Sequence, residues 1–430
     1  MDASQAAAAE AVVRVFSGTT LGRALELCVA RDSPARAYVH ELAYGTLRHW
    51  GTLDAVVRAL AHKPIGDATL AALMAVAIYQ LEWMGSEPHA VVDRAVEAAG
   101  AVVRPQAKGL VNATLRRFLR ERDAILAAAR ATPVGRWSHP RWWIARLRAD
   151  WPADWETILA AGNERPPLTL RVNRRRTSRE ALAARFAERG VATDPIGESG
   201  LIVAVPRPVR DLPGYEEGEF SVQDAGAQLA APILGTQDGE RVLDACAAPG
   251  GKATHILELA AAELTALDSD QTRLPRVREN LARLGLDSPR VEVVQGDAGE
   301  PERWWDGRLY ERILADVPCT ASGIVRRHPD GKWLRRPSDV DAFVAVQRRI
   351  ADALWGCLAR GGVFVYATCS VFKAENEAQA SAFAARHEDA LRETLSLAPQ
   401  TGAVGGQLLP SAPGARHNQD GFFYARFRKA

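Results

Sequence analysis

Residues 244–258 read DACAAPGGKATHILE, and the way this stretch turns decides the fold of the second half of the chain. An apolar run, Arg241-Val242-Leu243, leads in, and a helical pattern follows. Between them Cys246, Ala247, Ala248, Pro249, Gly250 and Gly251 carry little side-chain bulk before Lys252. A strand that stops here and restarts as a helix leaves a loop on which a ligand can approach the backbone. The first turn of the helix offers free N–H groups to an anion. The spacing is not GxGxxG, so it does not spell a dinucleotide site. A plain tight turn is the competing reading of this stretch alone.

From about residue 220 the pattern alternates. Strands are expected at 241–245, 264–268, 291–294, 312–316 and 362–367, with helices between them, and Phe422–Phe427 reads as an antiparallel edge strand. Such alternation builds an α/β domain on a mostly parallel, doubly wound sheet. Ligands of these sheets lie at the carboxyl ends of the strands. The second strand ends in Asp268, an acid placed about twenty residues past the glycine loop, as a contact to ribose hydroxyls requires. The third ends in Asp297, and the fourth in Asp316-Val317-Pro318-Cys319. Any one of these aspartates could cap a helix. Three at successive strand tips, beside the loop Cys246–Lys252, describe a site for a nucleoside with a charged tail and point to S-adenosylmethionine.

Upstream, residues 1 to about 140 read as all helix. Tyr38, Leu42, Leu47, Trp50, Leu53, Val57 and Leu60 recur mostly three to five apart, the stripe of one helix or of two abutting ones. Ala68–Leu81 is apolar nearly all round and reads as the central helix of a bundle, too short to span a bilayer. Pro88 is placed to open another helix. Gly109–Arg122 is amphipathic, with Leu110, Val111, Leu115, Phe118 and Leu119 on one face and Arg116, Arg117, Arg120 and Arg122 on the other. A Trp- and Arg-rich connector at 141–165 precedes a small α+β unit: Leu168–Val172 and Leu201–Val205 as strands around a helix near 178–189. Prolines and a glycine punctuate its exit. The expected division is 1–140, 141–219 and 220–430.

Composition fits an ordinary globular protein: 430 residues, 47% hydrophobic and 25% charged, with a formal net charge of +2. The distribution of charge says more than the sum. Residues 165–179 carry six arginines and no acid, and residues 326–337 carry four arginines and a lysine against one aspartate. A charge run is often only a solvated face, but two together suggest a polyanion-binding surface. Arg116, Arg117, Arg120, Arg171, Arg174, Arg175, Arg326, Arg327 and Lys332 are the expected contacts to such a polyanion. The five cysteines form no CxxC pair, which argues against a disulfide framework or a thiolate zinc site, and no metal is expected. The opening MDASQAAAAEAVVRVF does not read as a signal peptide. A cytoplasmic monomer is expected.

Cys28 and Cys357 lie on apolar helical faces and read as inert. Cys319 and Cys369 end neighbouring strands, so both thiols can face one cleft. A thiol beside a methyl donor suits methylation of carbon 5 of a pyrimidine. That carbon is not nucleophilic until a thiolate adds to carbon 6. A normal thiol is only a few per cent ionised near neutrality, so the site must activate it. Asp316 is placed to donate to, or protonate, ring nitrogen 3.

These residues resemble the bacterial Sun/RsmB (Fmu) family of 16S rRNA 5-methylcytosine methyltransferases. The likeness runs through DACAAPGGKATHILE, LDSDQTRLPRVRENLARLG, QGDA, ADVPCTASGIVRRHPDGKWLRR, YATCSVFKAENE and DGFFYARF, and upstream through ELAYGTLRHW, AIYQL and AKGLVNATLRRFLR. The resemblance implies a NusB-like RNA-binding domain, a small RRM-like unit and a Rossmann-like methyltransferase domain that binds S-adenosylmethionine. It implies Cys369 as nucleophile and Cys319 as the residue assisting release. It implies cofactor contacts from Cys246 to Lys252 and from Asp268, Asp297 and Asp316. The implied substrate is naked or early-assembling 16S rRNA, at cytosine 967. Val317 replaces the family's usual alanine, and Gly331 its usual bulky aliphatic. The competing readings are an enzyme with Cys319 as nucleophile, a tRNA cytosine methyltransferase, and a non-catalytic NusB-like RNA-binding factor.

Overall fold

The computed structural model describes residues 3–61, 63–395, 406–415 and 418–430. The chain divides into two compact units. One comprises Met1–Arg165 together with Val325–Pro337, and the other Pro166–Ile324 with Ser338–Ala430.

The first unit is helical. The stripe from Tyr38 to Leu60 resolves into two helices, Arg36–Arg48 and Trp50–Leu60. Ala68–Trp83 is the expected central helix. Asp67 caps it by accepting from the Leu70 N–H at 3.0 Å, and Leu73 to Ile78 are fully buried. Pro88 opens the helix Pro88–Val102 at its first turn, where its missing N–H leaves no bond unmade. The amphipathic segment extends to Ala107–Arg130, with non-helical backbone at Glu121. Val111, Leu115 and Phe118 are buried as expected, whereas Leu110 and Leu119 are exposed. Arg116 and Arg120 are exposed, and Arg117 is half-buried.

The segment 325–337 overturns part of the charge reading. Trp333 packs on Phe16 with ring centroids 6.3 Å apart and donates its indole N–H to the Leu47 carbonyl. Asp330 accepts from the Leu21 N–H. Lys332 is fully buried, donating to the Arg48 carbonyl at 2.9 Å and to Asn163 Oδ1 at 2.8 Å. Arg326 is only 2% exposed. Neither Lys332 nor Arg326 has surface to offer a phosphate, so the expectation that they contact RNA is withdrawn. Arg327 keeps partial exposure. A Cβ at Gly331 would meet no atom within 4 Å, so the departure from the family's bulky residue leaves the packing unchanged.

The second unit carries two sheets. The smaller has β1 (Leu168–Val172), β2 (Thr193–Ile196), β3 (Gly200–Val203) and β4 (Phe220–Val222) in the order β2-β3-β1-β4, all antiparallel. Its helix, Arg179–Glu188, is capped by Ser178 and buries Leu182 and Phe186 against Leu170, Val172 and Phe220. Because β4 pairs with β1, this unit reaches just past the expected boundary at 219.

The larger sheet runs β10 (Ala390–Glu393), β12 (Phe422–Lys429), β9 (Leu358–Thr368), β8 (Tyr310–Asp316), β5 (Arg241–Ala245), β6 (Glu263–Asp268) and β7 (Val291–Gln295), with β11 (Gln407–Leu408) paired to β12. Strands β5 to β9 are parallel, as the alternation predicts. Strand β12 is antiparallel but is not the edge: β10 covers its outer side. Apolar clusters on both faces leave Val242, Leu243, Leu264, Leu267, Ile313 and Leu314 fully buried. That two-sided burial is why these strands read as continuous apolar runs.

Candidate active site

The site forms where β5, β6, β8 and β9 end. After β5 the chain turns through Cys246 (φ 65°) and Gly250 (φ 99°) into the helix Gly251–Leu259. A Cβ on Gly250 would lie 3.2 Å from the Cα of Val277, so both conformation and space call for glycine there. Asp268 ends β6 and is almost wholly buried. Its Oδ2 accepts from the Ala248 N–H at 2.9 Å and its Oδ1 from the Asp270 N–H at 3.0 Å. The carboxylate thus holds the loop, and each oxygen retains a further lone pair.

Asp316 ends β8. Its Oδ2 lies 2.5 Å from Nζ of Lys252, the first charged residue of the helix after the loop. Burial would lower the Lys252 ammonium, but the charge and hydrogen bond of Asp316 hold it above the usual lysine value. Asp297 is more exposed. It accepts from the Gly299 N–H and from Arg349, both at 2.8 Å, and against the effect of burial these keep it below the usual carboxylate range.

Asp244 lies inside β5. It is fully buried, and among the described residues no donor reaches either of its oxygens in good geometry. Burial pushes its carboxyl up to about 8; Lys252 and the Ala253 N–H act against the rise, and Asp316 and Asp268 add to it. The same acids, after burial itself, push up the Cys246 thiol. Such a concentration of carboxylates suits a ligand that carries positive charge. S-adenosylmethionine has two cationic centres, a sulfonium and an ammonium, and these residues fit it.

Cys319 and Cys369 meet as the strand order requires. Their sulfurs are 3.4 Å apart. Cys319 is buried, and its thiol is pushed well up by its bond to Cys369, by burial, by the charge of Cys369 and by Glu375. Cys369 is partly exposed. Cys357 is buried just past a helix end, with its thiol pushed up to about 11 by burial.

Arg171 does not face solvent. It is fully buried, and all five of its N–H donors are used: two on Glu258 (2.9 and 2.7 Å), one on Gln223 (2.6 Å), one on the Gly251 carbonyl (2.6 Å) and one on the Thr254 hydroxyl (3.0 Å). Its expected role in RNA binding is therefore withdrawn. It secures the first turns of the helix after the glycine loop. Arg174 and Arg175 of the same run remain exposed. Glu258 and Glu375, both buried acids, were missed because no local pattern marks an acid whose partners are mostly distant in sequence, as Arg171 is from Glu258 and Thr320 and Gln347 are from Glu375. Among the described residues no group of His, Cys, Asp and Glu is placed to hold a metal ion, and no helix is long and apolar enough to cross a membrane.

Comparison with known proteins bears on all three regions. Residues 231–428 match the family model for 16S rRNA methyltransferase RsmB/F, residues 139–210 the RsmF/B-like ferredoxin-like domain, and residues 2–120 the NusB family. The chain is 44% identical over 402 residues to ribosomal RNA small subunit methyltransferase B of Serratia proteamaculans (strain 568), covering 92% of this chain and 90% of that one. It is 44% identical over 434 residues to the protein of the same name from Pseudomonas putida, covering 98% of each. The crystal structure of PH0851 shares the fold at a TM-score of 0.79 with 23% identity, covering 99% of this chain and 98% of that one.

Proposed function

The chain belongs to the RsmB/F family of 16S rRNA methyltransferases, and from that premise we propose that it methylates carbon 5 of one cytosine, cytosine 967 by family likeness, through a covalent adduct at Cys369. The observation that carries this reading is the 3.4 Å approach of two thiols at the ends of adjacent parallel strands, beside the Lys252–Asp316 pair.

S-adenosylmethionine is the methyl donor and supplies an electrophilic methyl group. The loop Cys246–Lys252 and Asp268, Asp297 and Asp316 hold it. The Cys369 thiolate adds to carbon 6 of the cytosine, breaking the 5,6 double bond. Asp316 delivers a proton to ring nitrogen 3, and the Lys252 ammonium bonded to it is the proton source. Carbon 5 is then an enamine carbon, able to accept a methyl group. To finish, carbon 5 passes its proton to Cys319 as the Cys319 thiol passes its own to the departing Cys369 sulfur; the freed electron pair re-forms the double bond, and ring nitrogen 3 returns its proton to Asp316. Cys319, touching Cys369, assists this last step. Its burial and raised thiol make it the poorer nucleophile of the two. The exposed Arg116, Arg120, Arg174 and Arg175, with the partly buried Arg117 and Arg327, supply phosphate contacts. The substrate is 16S rRNA before it is folded into a subunit.

The test separates the two thiols. Cys369→Ala should abolish both methylation and adduct. Cys319→Ala should leave attack possible but stall release, giving a protein–RNA band that survives denaturing electrophoresis and disappears in the double variant. Accumulation of the band in Cys369→Ala, with Cys319→Ala simply inactive, would reverse the assignment. Bisulfite sequencing of naked 16S rRNA treated with the enzyme identifies the base.

A further inference from the structure

Glu375 lies on the turn after β9 and has no exposed surface. Its oxygens collect four donors. Oε1 accepts from the Thr320 N–H at 2.8 Å and from Gln347 Nε2 at 3.2 Å. Oε2 accepts from the Thr320 and Ser370 hydroxyls, each at 2.5 Å. Thr320 follows Cys319, and Ser370 follows Cys369. One buried carboxylate therefore grips the residue next to each thiol. Neighbouring bonds reinforce the grip: the Ser322 and Ser370 hydroxyls are 2.8 Å apart, Ser322 accepts from the Val371 N–H, and the Gly323 N–H donates to the Cys369 carbonyl. The Tyr366 hydroxyl fixes Glu375 in turn by donating to its carbonyl at 2.6 Å.

An amide has one acceptor oxygen where the carboxylate has two, so it could accept only two of these bonds; burial pushes the Glu375 carboxyl up, and the Ser370, Thr320 and Gln347 donors act against that rise. The charge of Glu375 adds to the rise of the Cys319 thiol, and the charge of Cys369 adds to the rise of the Lys252 ammonium. Glu375 thus acts electrostatically on Cys319 and Lys252 on Cys369, while the hydrogen bonds of Glu375 reach the residue beside each thiol.

We propose that Glu375 is a positioning residue for the two-thiol chemistry, holding the Cys319 and Cys369 turns in register and, by its negative charge, keeping the shared proton on Cys319 so that Cys369 is the sulfur that attacks. The inference rests on the Cys369 reading given above and deepens it: no contact between Glu375 and the substrate is required.

Three full-length variants test it. Glu375→Gln retains the size without the charge, its NH2 donating to the Thr320 and Ser370 hydroxyls that Oε2 accepts from; Glu375→Asp retains the charge on a shorter arm, and Glu375→Ala removes both. The direct readout is competitive alkylation with iodoacetamide across a pH series, scored for each cysteine by peptide mass spectrometry. The wild type should be modified at Cys369 in preference to Cys319. Glu375→Gln should lower that preference about tenfold, the effect of one pKa unit, and Glu375→Asp should largely keep it. Turnover should fall in the order Asp, Gln, Ala with the KM for S-adenosylmethionine unchanged. Unfolding would expose both thiols and collapse the ratio, so the ratio is read on the folded fraction isolated by size exclusion, with Glu375→Asp as the control for the fold. An unaltered ratio in Glu375→Gln overturns the proposal, whatever happens to stability. The trapped adduct of Cys319→Ala keeps the two readings apart. If that adduct never forms, the thiol-addition reading has failed. If it forms and Glu375→Gln matches the wild type in thiol ratio and turnover, only the present inference has failed.

Discussion

Replacing Arg171 by methionine should damage the fold and the cofactor loop while leaving RNA electrostatics untouched. The side chain has no exposed surface, its partner Glu258 has a side-chain exposure of 1%, and five hydrogen bonds end on the guanidinium. Removing one partner of a buried pair leaves the other as an uncompensated charge, at a cost of about 3–5 kcal/mol. For a unit of this size that corresponds to a fall in Tm on the order of 10 °C. Removing both charges in Arg171→Met with Glu258→Leu should recover most of the loss, since an apolar replacement of a buried pair is often neutral. The effect should also depend on pH. Burial holds the Glu258 carboxyl above its usual value even with Arg171 present, and without Arg171 it rises further. A folded-state value raised above the unfolded one means that the folded protein binds the extra proton. The deficit of Arg171→Met is therefore largest above that raised value and shrinks as pH falls through it toward the ordinary carboxylate range. Thermal unfolding of the single and double variants at pH 5 and pH 8 measures all of this. Because Gly251 loses a donor at the start of the cofactor-loop helix, calorimetry should also find weaker S-adenosylmethionine binding. A contact to phosphate would behave differently, flattening the salt dependence of RNA binding by about 0.7–0.9 in log–log slope. An unchanged Tm together with a flattened salt slope would refute the burial argument and restore Arg171 to the RNA surface.

Asp268→Ala should weaken S-adenosylmethionine binding roughly ten- to hundredfold, since bonds to a charged acceptor contribute about 1.5–3 kcal/mol; unchanged affinity by calorimetry would show that the tip of β6 is not the ribose site. Arg174→Ala combined with Arg175→Ala should weaken RNA binding and reduce its salt slope by about 1–2 without altering Tm, and an unchanged slope would remove this loop from the RNA surface. Asp244→Asn should stabilise the cofactor-free protein near neutrality. The wild-type carboxyl is raised to about 8 by burial, so wild-type stability falls as pH climbs from the ordinary carboxylate range to about 8; Asp244→Asn should lack that fall, and parallel stability–pH curves would refute the assignment.

The large sheet was legible because burial on both faces writes each strand as an apolar run: β5 falls on the expected 241–245, and β6, β7 and β8 begin or end within two residues of expectation. Strand β9 starts earlier, at Leu358, because Gly361 and Gly362 look like a break in sequence yet lie within the strand. The pairing of the two thiols was legible for a topological reason, since adjacent parallel strands end side by side. The arginine runs were not. Period two separates Arg171 from Leu170 and Val172 and suggests a solvent face, but the helix Gly251–Leu259 supplies its partners, and Glu258 is 87 residues away. Lys332 likewise finds the Arg48 carbonyl 284 residues back along the chain. Local sequence carries charge but not the identity of a distant partner, so a basic run and a buried ion-pair arm look the same before folding.

The same limit explains the acids of the site. Asp297 is balanced by Arg349, Asp316 by Lys252, and Asp268 has Arg273 at 3.5 Å. Asp244 has no such ion pair among the described residues, and its carboxyl is the one pushed to about 8. Each acid alone could be a cap or a structural tie, as Asp297 and Asp268 in part are. Only the set distinguishes a ligand site from three turns. Cations fixed to three of the acids and a protonated fourth bring the cofactor-free site close to electrical balance near neutrality. A cationic ligand entering it would favour the ionised form of Asp244, because an opposite charge nearby stabilises a carboxylate. The product of transfer keeps the ammonium and loses the sulfonium, so it would gain less from that group. Asp244→Asn should therefore weaken binding of the methyl donor more than binding of the thioether product, and calorimetry that finds both weakened equally would remove Asp244 from the cofactor site.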